Sequence, residues 1–471
     1  MFDRIPKPVL IASLLLVPIA LTYLAYTTPA YFTSQTYLGG LLFLELLIAA
    51  IWMYRQVFFP LVMVTFLLAG VDLPVGSGWT AARWVTLGVG ALVGLLIVLK
   101  QRRYSLRLFH LLALFAVLSA VVSAAVSRYE STSLFKVLSL FALFVYAGTG
   151  ARLAVLGREN RFFSELLVGC EVFVGIIAAA YLVGIEVMGN PNSLGAVMGV
   201  IAAPILLWGT LVSENQFERR RRAVMFTVCA SLLFVSHARA GMVAAFVSCA
   251  LLCSVLRRYR LLVQGLVVIV IVAAASAILR PEAYSNTISS FTNRVVFKAK
   301  DASGSLFESR QTPWQQAIDS IQNHLWFGTG FGTSDNGQEP TDHVGKFSTV
   351  ASISTEFGSS YLAITTWVGL LGVLPFLMLV LVLLNKIVQT VRWMIRTGNP
   401  AHPAIPLAMV MLAGMIHAGF EDWLFAPGYY VTVFFWSMAF VFVDEAPSPA
   451  IAASRRTFLS PAVMRPSLSV K

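Results

Sequence analysis

A few polar residues stand out in this chain, because almost everything around them is apolar. Arg239 lies in the short turn Ser236-His237-Ala238-Arg239-Ala240-Gly241, between two apolar runs. An arginine at the rim of a bilayer is costly to keep there, and its planar fork suits an anion. The alternative is a side chain that snorkels to lipid phosphate. Adjacent carboxylates, Glu421 and Asp422, follow another apolar run in His417-Ala418-Gly419-Phe420-Glu421-Asp422-Trp423. They could ligate a cation or pair with Arg239 or Arg310. Asn190 and Asn192, in Gly189-Asn190-Pro191-Asn192-Ser193-Leu194-Gly195, read as a turn opening a helix. Their side chains and amides either cap that helix or meet a substrate headgroup.

The longest polar stretch runs from about Arg280 to Ser359 and ends in Thr355-Glu356-Phe357-Gly358-Ser359-Ser360-Tyr361-Leu362. A polar loop of this length, in a chain otherwise built to cross a bilayer, is where chemistry is expected. Within it, Thr312-Pro313-Trp314-Gln315 reads as a capping box with proline at the first helical position. Trp314, Ala317, Ile318, Ile321 and Leu325 then repeat on one helical face. This predicts an amphipathic helix lying along the outer membrane face as a lid, with Glu308 and Arg310 just before it. The helix stops at Gly328-Thr329-Gly330-Phe331-Gly332, which is not a nucleotide loop, since no Lys-Ser/Thr follows and no strand precedes it.

The elements that must position these groups are membrane helices. The chain has 471 residues, 58% hydrophobic and only 12% charged, where a soluble domain carries about 25% charged residues. An all-α, polytopic membrane protein follows. Apolar runs near the required length of about 20 residues start near Val9, Tyr37, Val57, Trp84, Leu108, Leu134, Glu165, Ser193, Ala223, Ala240, Leu261, Tyr361, Ala404 and Tyr429. That makes about fourteen spans, with twelve as the alternative count. The runs at Val57, Ala223 and Ala240 are short. The first is an uncleaved helix rather than a signal peptide, because it is longer than a signal-peptide core and no small-residue cleavage site follows.

Lys and Arg concentrate in alternate connecting segments: Arg4 and Lys7, Arg55, Lys100 to Arg107, Arg152 to Arg161, Arg219 to Arg222, Arg257 to Arg260, Lys386 to Arg396, and the tail after Asp444. Positive charge marks the cytoplasmic side. Both termini are then cytoplasmic and the long loop is outside. The net charge of +12 is therefore topogenic, and no nucleic-acid partner is implied. Arg219-Arg220-Arg221-Arg222 reads as a stop-transfer anchor. One membrane domain spans residues 1–445, and a Pro-, Ser- and Arg-rich tail, 446–471, reads as disordered. Cys170, Cys229, Cys249 and Cys253 sit inside apolar runs and read as packing, with no metal site or disulfide framework. Glu171 and His110 are isolated ionisable residues within spans and read as structural pairs. No inverted repeat is visible.

Taken together, these residues make the chain resemble the bacterial O-antigen ligase and O-antigen/exopolysaccharide polymerase family. The resemblance is carried by Asn190-Pro191-Asn192-Ser193-Leu194-Gly195, Arg239-Ala240-Gly241, Arg310 with Trp314 and Ala317, Phe327-Gly328-Thr329-Gly330-Phe331-Gly332, Ser360-Tyr361-Leu362 with Gly369-Leu370-Leu371-Gly372, and Phe420-Glu421-Asp422-Trp423. It covers residues 189–436. It implies an inverting, metal-independent glycosyltransferase without a cofactor, in the bacterial inner membrane. The donor would be an undecaprenyl-diphosphate-linked oligosaccharide, and the partners a glycan acceptor, the lipid bilayer and possible flippase and chain-length regulator proteins. Outward arginines hold the donor diphosphate in such proteins, a role carried here to Arg239 and Arg310.

The acceptor hydroxyl must lose a proton as it attacks, so a general base is expected. Many family members have a His-Asn pair just before Tyr-Leu, and this chain has Ser359-Ser360 there. Glu356 is the alternative base, with His343 and His324 weaker ones. Asn190, Asn192, Trp314, Ser359, Ser360, Tyr361 and Glu421 complete the expected substrate-binding set. The leading function is polymerisation of lipid-linked repeats into exopolysaccharide or O-antigen. A ligase acting on lipid A core or another acceptor is the enzymatic alternative, and a lipid-linked sugar flippase or transporter the alternative of another class. Transporters keep their polar residues near the bilayer midplane, whereas here they gather at helix ends and in one loop.

Overall fold

A computed structural model of the protein describes residues 19, 22–23, 26–27, 35–71, 76–101, 107–185, 187–188, 190–260, 308–334 and 357–447. The run from Leu261, most of the run from Val9, most of the long loop and the tail from 448 lie outside the described residues. The described chain is helical, and no strand forms among the described residues. The helices are α1 (Gln35–Trp52), α2 (Tyr54–Ala69), α3 (Gly76–Gln101), α4 (Leu108–Ala125), α5 (Glu130–Val155), α6 (Glu159–Leu182), α7 (Pro191–Ala196, continuing through Ala203–Val212), α8 (Gln216–Val235), α9 (Arg239–Val255), α10 (Glu308–Asn323), α11 (Ser360–Thr397), α12 (Ala404–Ala418) and α13 (Tyr430–Glu445). Helices α5 and α7 each contain a π-turn, at Ala147–Ala151 and Val197–Ala202.

Among the described residues, six helices are long and apolar enough to cross a membrane: Gly78–Lys100, Leu108–Ala125, Glu130–Val155, Glu159–Leu182, Asn192–Val212 and Ser360–Thr397. Shorter apolar helices accompany them at Gly39–Trp52, Tyr54–Ala69, Arg239–Val255 and Ala404–Ala418. Each apolar run read from the sequence, apart from those at Val9 and Leu261, falls on one of the described helices.

The centre of the bundle is made by α7, α12 and α13. Every residue of α13 from Tyr430 to Val443 is buried, and α12 is buried along nearly its whole length. Trp436 is the pivot of this core. Phe109, Phe144, Phe425 and Phe435 surround it with ring centroids 5.1 to 6.5 Å away, and its indole N–H donates to the Leu424 carbonyl at 2.6 Å. Around this core, α3, α4, α5 and α11 turn large apolar side chains outward, among them Leu96, Leu118, Phe135 and Leu371. Exposed apolar side chains in such number on these helices fit lipid rather than water.

The connecting segments gather at two ends. At one end, Arg158 donates to the Arg55 carbonyl, Trp208 to the Pro400 carbonyl, and Arg107 and Arg152 both pair with Asp444. At the other, which we call the loop end, Arg83 donates to the Gly428 carbonyl, Ser127 to the Thr329 carbonyl, and Tyr430 to the Ser193 carbonyl.

One feature differs from the sequence reading. The run starting at Tyr361 is not one regular helix. Gly369 in α11 has φ 68° and ψ 179°, a conformation open almost only to glycine, and it separates residues 360–368 from 370–397. The freed backbone groups are bonded elsewhere, as burial demands. The Thr329 and Gly330 amides donate to the Thr366 and Trp367 carbonyls, and the Leu370 amide donates to the Leu325 carbonyl at 2.9 Å. Ser123 of α4 also donates to the Trp367 carbonyl, at 2.5 Å. The glycine run after α10 is thus a plug for a broken helix. Ser133 donates to the Phe331 carbonyl and Lys136 to that of Gly332, fixing the plug from α5.

The ionisable residues within the spans are paired. Glu171 of α6 meets Arg221 at 3.0 Å and Arg222 at 3.4 Å. The basic quartet is therefore only partly a solvated anchor. Arg222 is buried and also donates to the Ser213 hydroxyl at 2.6 Å. His110 Nε2 stands 2.9 Å from Arg152, beside Asp444.

Candidate functional site

The loop end holds a half-open cavity of about 240 Å³, lined by Asn192, His237, Ala238, Arg239, Ala240, Val243, Arg310, His417, Phe420 and Glu421. Four residues singled out from the sequence, Asn192, Arg239, Arg310 and Glu421, therefore come together from four separate stretches of chain.

Arg239 is delivered by a close helix crossing. Gly195 and Gly199 lie one turn apart on α7, facing Gly241 on α9. A Cβ at Gly199 would fall on the Gly241 carbonyl, and one at Gly195 would fall on the Ala238 side chain. Small residues spaced by four let two helices approach backbone to backbone. Arg239 is the first residue of α9, so this contact sets the guanidinium beside the start of α7. Asn190 caps that start, its side chain accepting from the Asn192 amide at 2.9 Å. Asn190 has the capping geometry, while Asn192 reaches the cavity.

Arg310 arrives on α10. The helix-start signal at Thr312-Pro313 is overridden, because α10 already runs from Glu308 and Pro313 lies inside it. Arg310 and Trp314 are consequently one turn apart on one face, rather than in a loop and a helix. Trp314 donates its indole N–H to the Gly358 carbonyl at 3.2 Å, and Arg310 pairs with Glu421. Gly358 has φ 63° and lies directly against the Arg310 side chain, where a Cβ would touch the guanidinium. Along the expected amphipathic face, Ala317 is fully buried and Ile321 partly so, while Ile318 and Leu325 are exposed. Helix α10 packs against α11.

The turn after α12 ties these pieces together. The Phe357 amide donates to the Asp422 carboxylate at 3.0 Å. The Ser360 amide and hydroxyl both donate to the Glu421 carbonyl, and the same hydroxyl accepts from the Leu424 amide at 3.0 Å. Tyr361 donates to the Met415 carbonyl at 2.9 Å. Ser359 is buried at the start of α11. Trp314, Ser360 and Tyr361 are thus fasteners beside the cavity, and neither they nor Ser359 line it. Of the two adjacent carboxylates, Glu421 holds Arg310 and Asp422 holds the backbone at Phe357. Glu356 and His343 lie outside the described residues, and His324 sits exposed just past the end of α10.

His417 is one of the lining residues that sequence reasoning did not select. It appears in the sequence only as the last polar residue of an apolar run, four before Glu421, and nothing in that pattern marks which of its nitrogens is used. In the structure it is 2% exposed, and its Nδ1 accepts from the Trp423 indole N–H at 2.7 Å.

Among the described residues, the lining thus offers two guanidinium forks and one carboxylate, Glu421, which is already committed to Arg310. Such a set favours a ligand with more than one negative charge, held bidentately.

Residues 223–377 match the family model described as O-antigen ligase. The matched stretch runs from α8 into α11 and holds both cavity arginines, while Asn192, His417 and Glu421 fall outside it. No curated protein matches the chain. Over that stretch, which is less than half of the chain, the protein is similar to the O-antigen ligase family.

Proposed function

We propose, from that family match and the cavity at the loop end, that the protein is a membrane glycosyltransferase. It joins undecaprenyl-diphosphate-linked oligosaccharide repeats into an exopolysaccharide or O-antigen chain at the periplasmic face of the bacterial inner membrane, with both termini cytoplasmic. The observation that carries this reading is the convergence of Arg239 and Arg310 on one cavity where the one carboxylate among the described lining residues, Glu421, is already paired with Arg310. As the glycosidic bond to the lipid diphosphate breaks, negative charge rises on the leaving group. Arginine forks placed beforehand stabilise that charge without reorganisation.

In this mechanism Arg239 and Arg310 hold the diphosphate, and Glu421 orients the Arg310 fork. Asn192 offers an amide to the first sugar or to phosphate. The acceptor hydroxyl attacks the anomeric carbon from the face opposite the diphosphate, its proton passing to Glu356. The anomeric centre inverts, and undecaprenyl diphosphate leaves.

The match to an O-antigen ligase family favours a second reading, in which the finished glycan is ligated to a different acceptor such as lipid A core. One experiment separates the readings. Purified protein in lipid receives an undecaprenyl-diphosphate oligosaccharide and no nucleotide sugar, with and without lipid A core. A ladder on the donor alone supports polymerisation, and a single product that needs the core supports ligation. No product in either case counts against both. Glu356→Gln that keeps full activity in a stable protein removes Glu356 as the base.

A further inference from the structure

The Trp423 indole nitrogen is a donor and cannot accept a hydrogen bond. It points its hydrogen at His417 Nδ1, 2.7 Å away. Nδ1 therefore carries the lone pair and no proton. In the neutral ring the proton sits on Nε2. Trp423 is not free to turn away. It is 6% exposed, its ring stands edge-on to Phe435 with centroids 5.7 Å apart, and its carbonyl accepts from the Thr432 hydroxyl at 2.5 Å.

A second proton on the ring would set two donors against each other at Nδ1. It would also add a third positive charge to a cavity already lined by Arg239 and Arg310. The neutral Nε2–H form is the one this surrounding selects. His417 lines the cavity, and with Nδ1 turned to Trp423 the Nε2 edge is left to face it.

We infer that His417 donates its Nε2–H to a phosphate oxygen of the lipid diphosphate, and that Trp423 is the positioning residue that fixes its tautomer. This rests on the diphosphate reading of the cavity. It also removes His417 as a general base, because its one lone pair is engaged by Trp423. A neutral donor adds direction to the grip of the two arginines without adding charge, so the product diphosphate is not held by a third cation.

The test uses full-length protein in nanodiscs, with ¹⁵N-labelled histidine and with undecaprenyl diphosphate, undecaprenyl phosphate and inorganic pyrophosphate as probes. Without ligand, the His417 signals should show an unprotonated Nδ1 and a protonated Nε2. Either diphosphate should move the Nε2 signal, and the monophosphate should move it less. His417→Ala should weaken diphosphate binding about tenfold, the scale of one hydrogen bond to a charged group. His417→Gln, which keeps an N–H donor, should recover part of that loss. Trp423→Phe should let the proton move to Nδ1 and weaken binding with His417 still present, an effect that lost packing alone would not produce in the histidine spectrum.

A cationic ring or a protonated Nδ1 in the wild-type protein overturns the inference. So does His417→Ala or Trp423→Phe protein that binds undecaprenyl diphosphate as tightly as wild type, or His417→Gln protein that binds it no better than His417→Ala. Wild-type protein that binds neither diphosphate overturns the underlying reading of the cavity instead, and the two failures are distinguishable because the tautomer is read without ligand.

Discussion

Arg310 of α10 is paired with Glu421 in the turn after α12, an ion pair closed across 111 residues of sequence. Both side chains keep about a fifth of their surface exposed, 21% and 19%. The pair is open enough for a ligand to reach the guanidinium and closed enough to fix its direction.

This pairing leads to an ordered series of effects. Arg310→Ala removes a donor to developing charge and is expected to lower turnover by about a hundredfold or more. Arg310→Lys keeps the charge but loses the planar fork, and should recover only part of that loss. Glu421→Gln leaves Arg310 in place with less restraint, so it should be milder than Arg310→Ala. Initial rates of ladder formation at saturating and limiting donor check the order. An Arg310→Lys protein as active as wild type would remove the bidentate argument.

The contact of Gly195 and Gly199 with Gly241 predicts a second class of inactive protein. Gly199→Val or Gly241→Val would force α7 and α9 apart and shift Arg239 out of register with Arg310. Overpacking of this kind costs about 1–3 kcal/mol, which a protein of this size can survive. The expected result is a modest fall in melting temperature in detergent and a large fall in diphosphate binding. Gly175→Val on α6, where a Cβ would meet nothing within 4 Å, is the control and should change neither.

The sequence showed most of the bundle and part of the cavity, for reasons that differ residue by residue. The helices were readable because long apolar runs separated by alternating basic and non-basic segments obey the physics of the bilayer. Arg239 was readable because a lone arginine in an outer turn opposes that pattern. Arg310 was readable as a partner for the adjacent carboxylates, its diphosphate role came only through the family resemblance, and the Thr-Pro signal puts the start of its helix one turn too late. A Thr-Pro pair gives the same local signal at a helix start and inside a helix stabilised by packing. The partners of Glu171 were not readable either, because Arg222 is defined in sequence by its basic neighbours and in space by α6. The role of the glycine run was hidden for a related reason. Its amides serve carbonyls freed by Gly369, some forty residues later, and no local pattern reports such a match. Glu356, the base chosen by elimination, lies outside the described residues and is left to mutation.

Gly369 itself carries a sharp prediction. Its φ of 68° with ψ near 180° strains any side chain by about 1–3 kcal/mol, and a Cβ there would meet the Trp326 backbone. Gly369→Ala should release the plug formed by residues 325–332. Its signature would be faster protease cleavage near residues 325–334 and loss of activity, while the far end of the bundle stays protected. Equal protection in mutant and wild type would show that the plug does not depend on the break in α11.

Glu171 tests the claim that its cluster is structural. Its side chain is 9% exposed, that of Arg222 is 10%, and the two lie 3.4 Å apart. Removing one partner of a buried pair leaves the other charge without compensation, at about 3–5 kcal/mol. Arg222 retains Ser213 and Glu218 as partners, so Glu171→Leu should fall at the lower end of that range. Arg222→Met strands Glu171 with only the half-exposed Arg221 and should cost more. The double variant should be more stable than the sum of the single effects implies, since neither charge is then left alone. Melting curves of the four proteins in one detergent measure that coupling. Donor binding per folded molecule should stay at the wild-type level in all of them, because the cluster touches none of the residues that line the cavity. A Glu171→Leu protein that melts like wild type but binds donor poorly would reverse the assignment and give this carboxylate a part in the reaction.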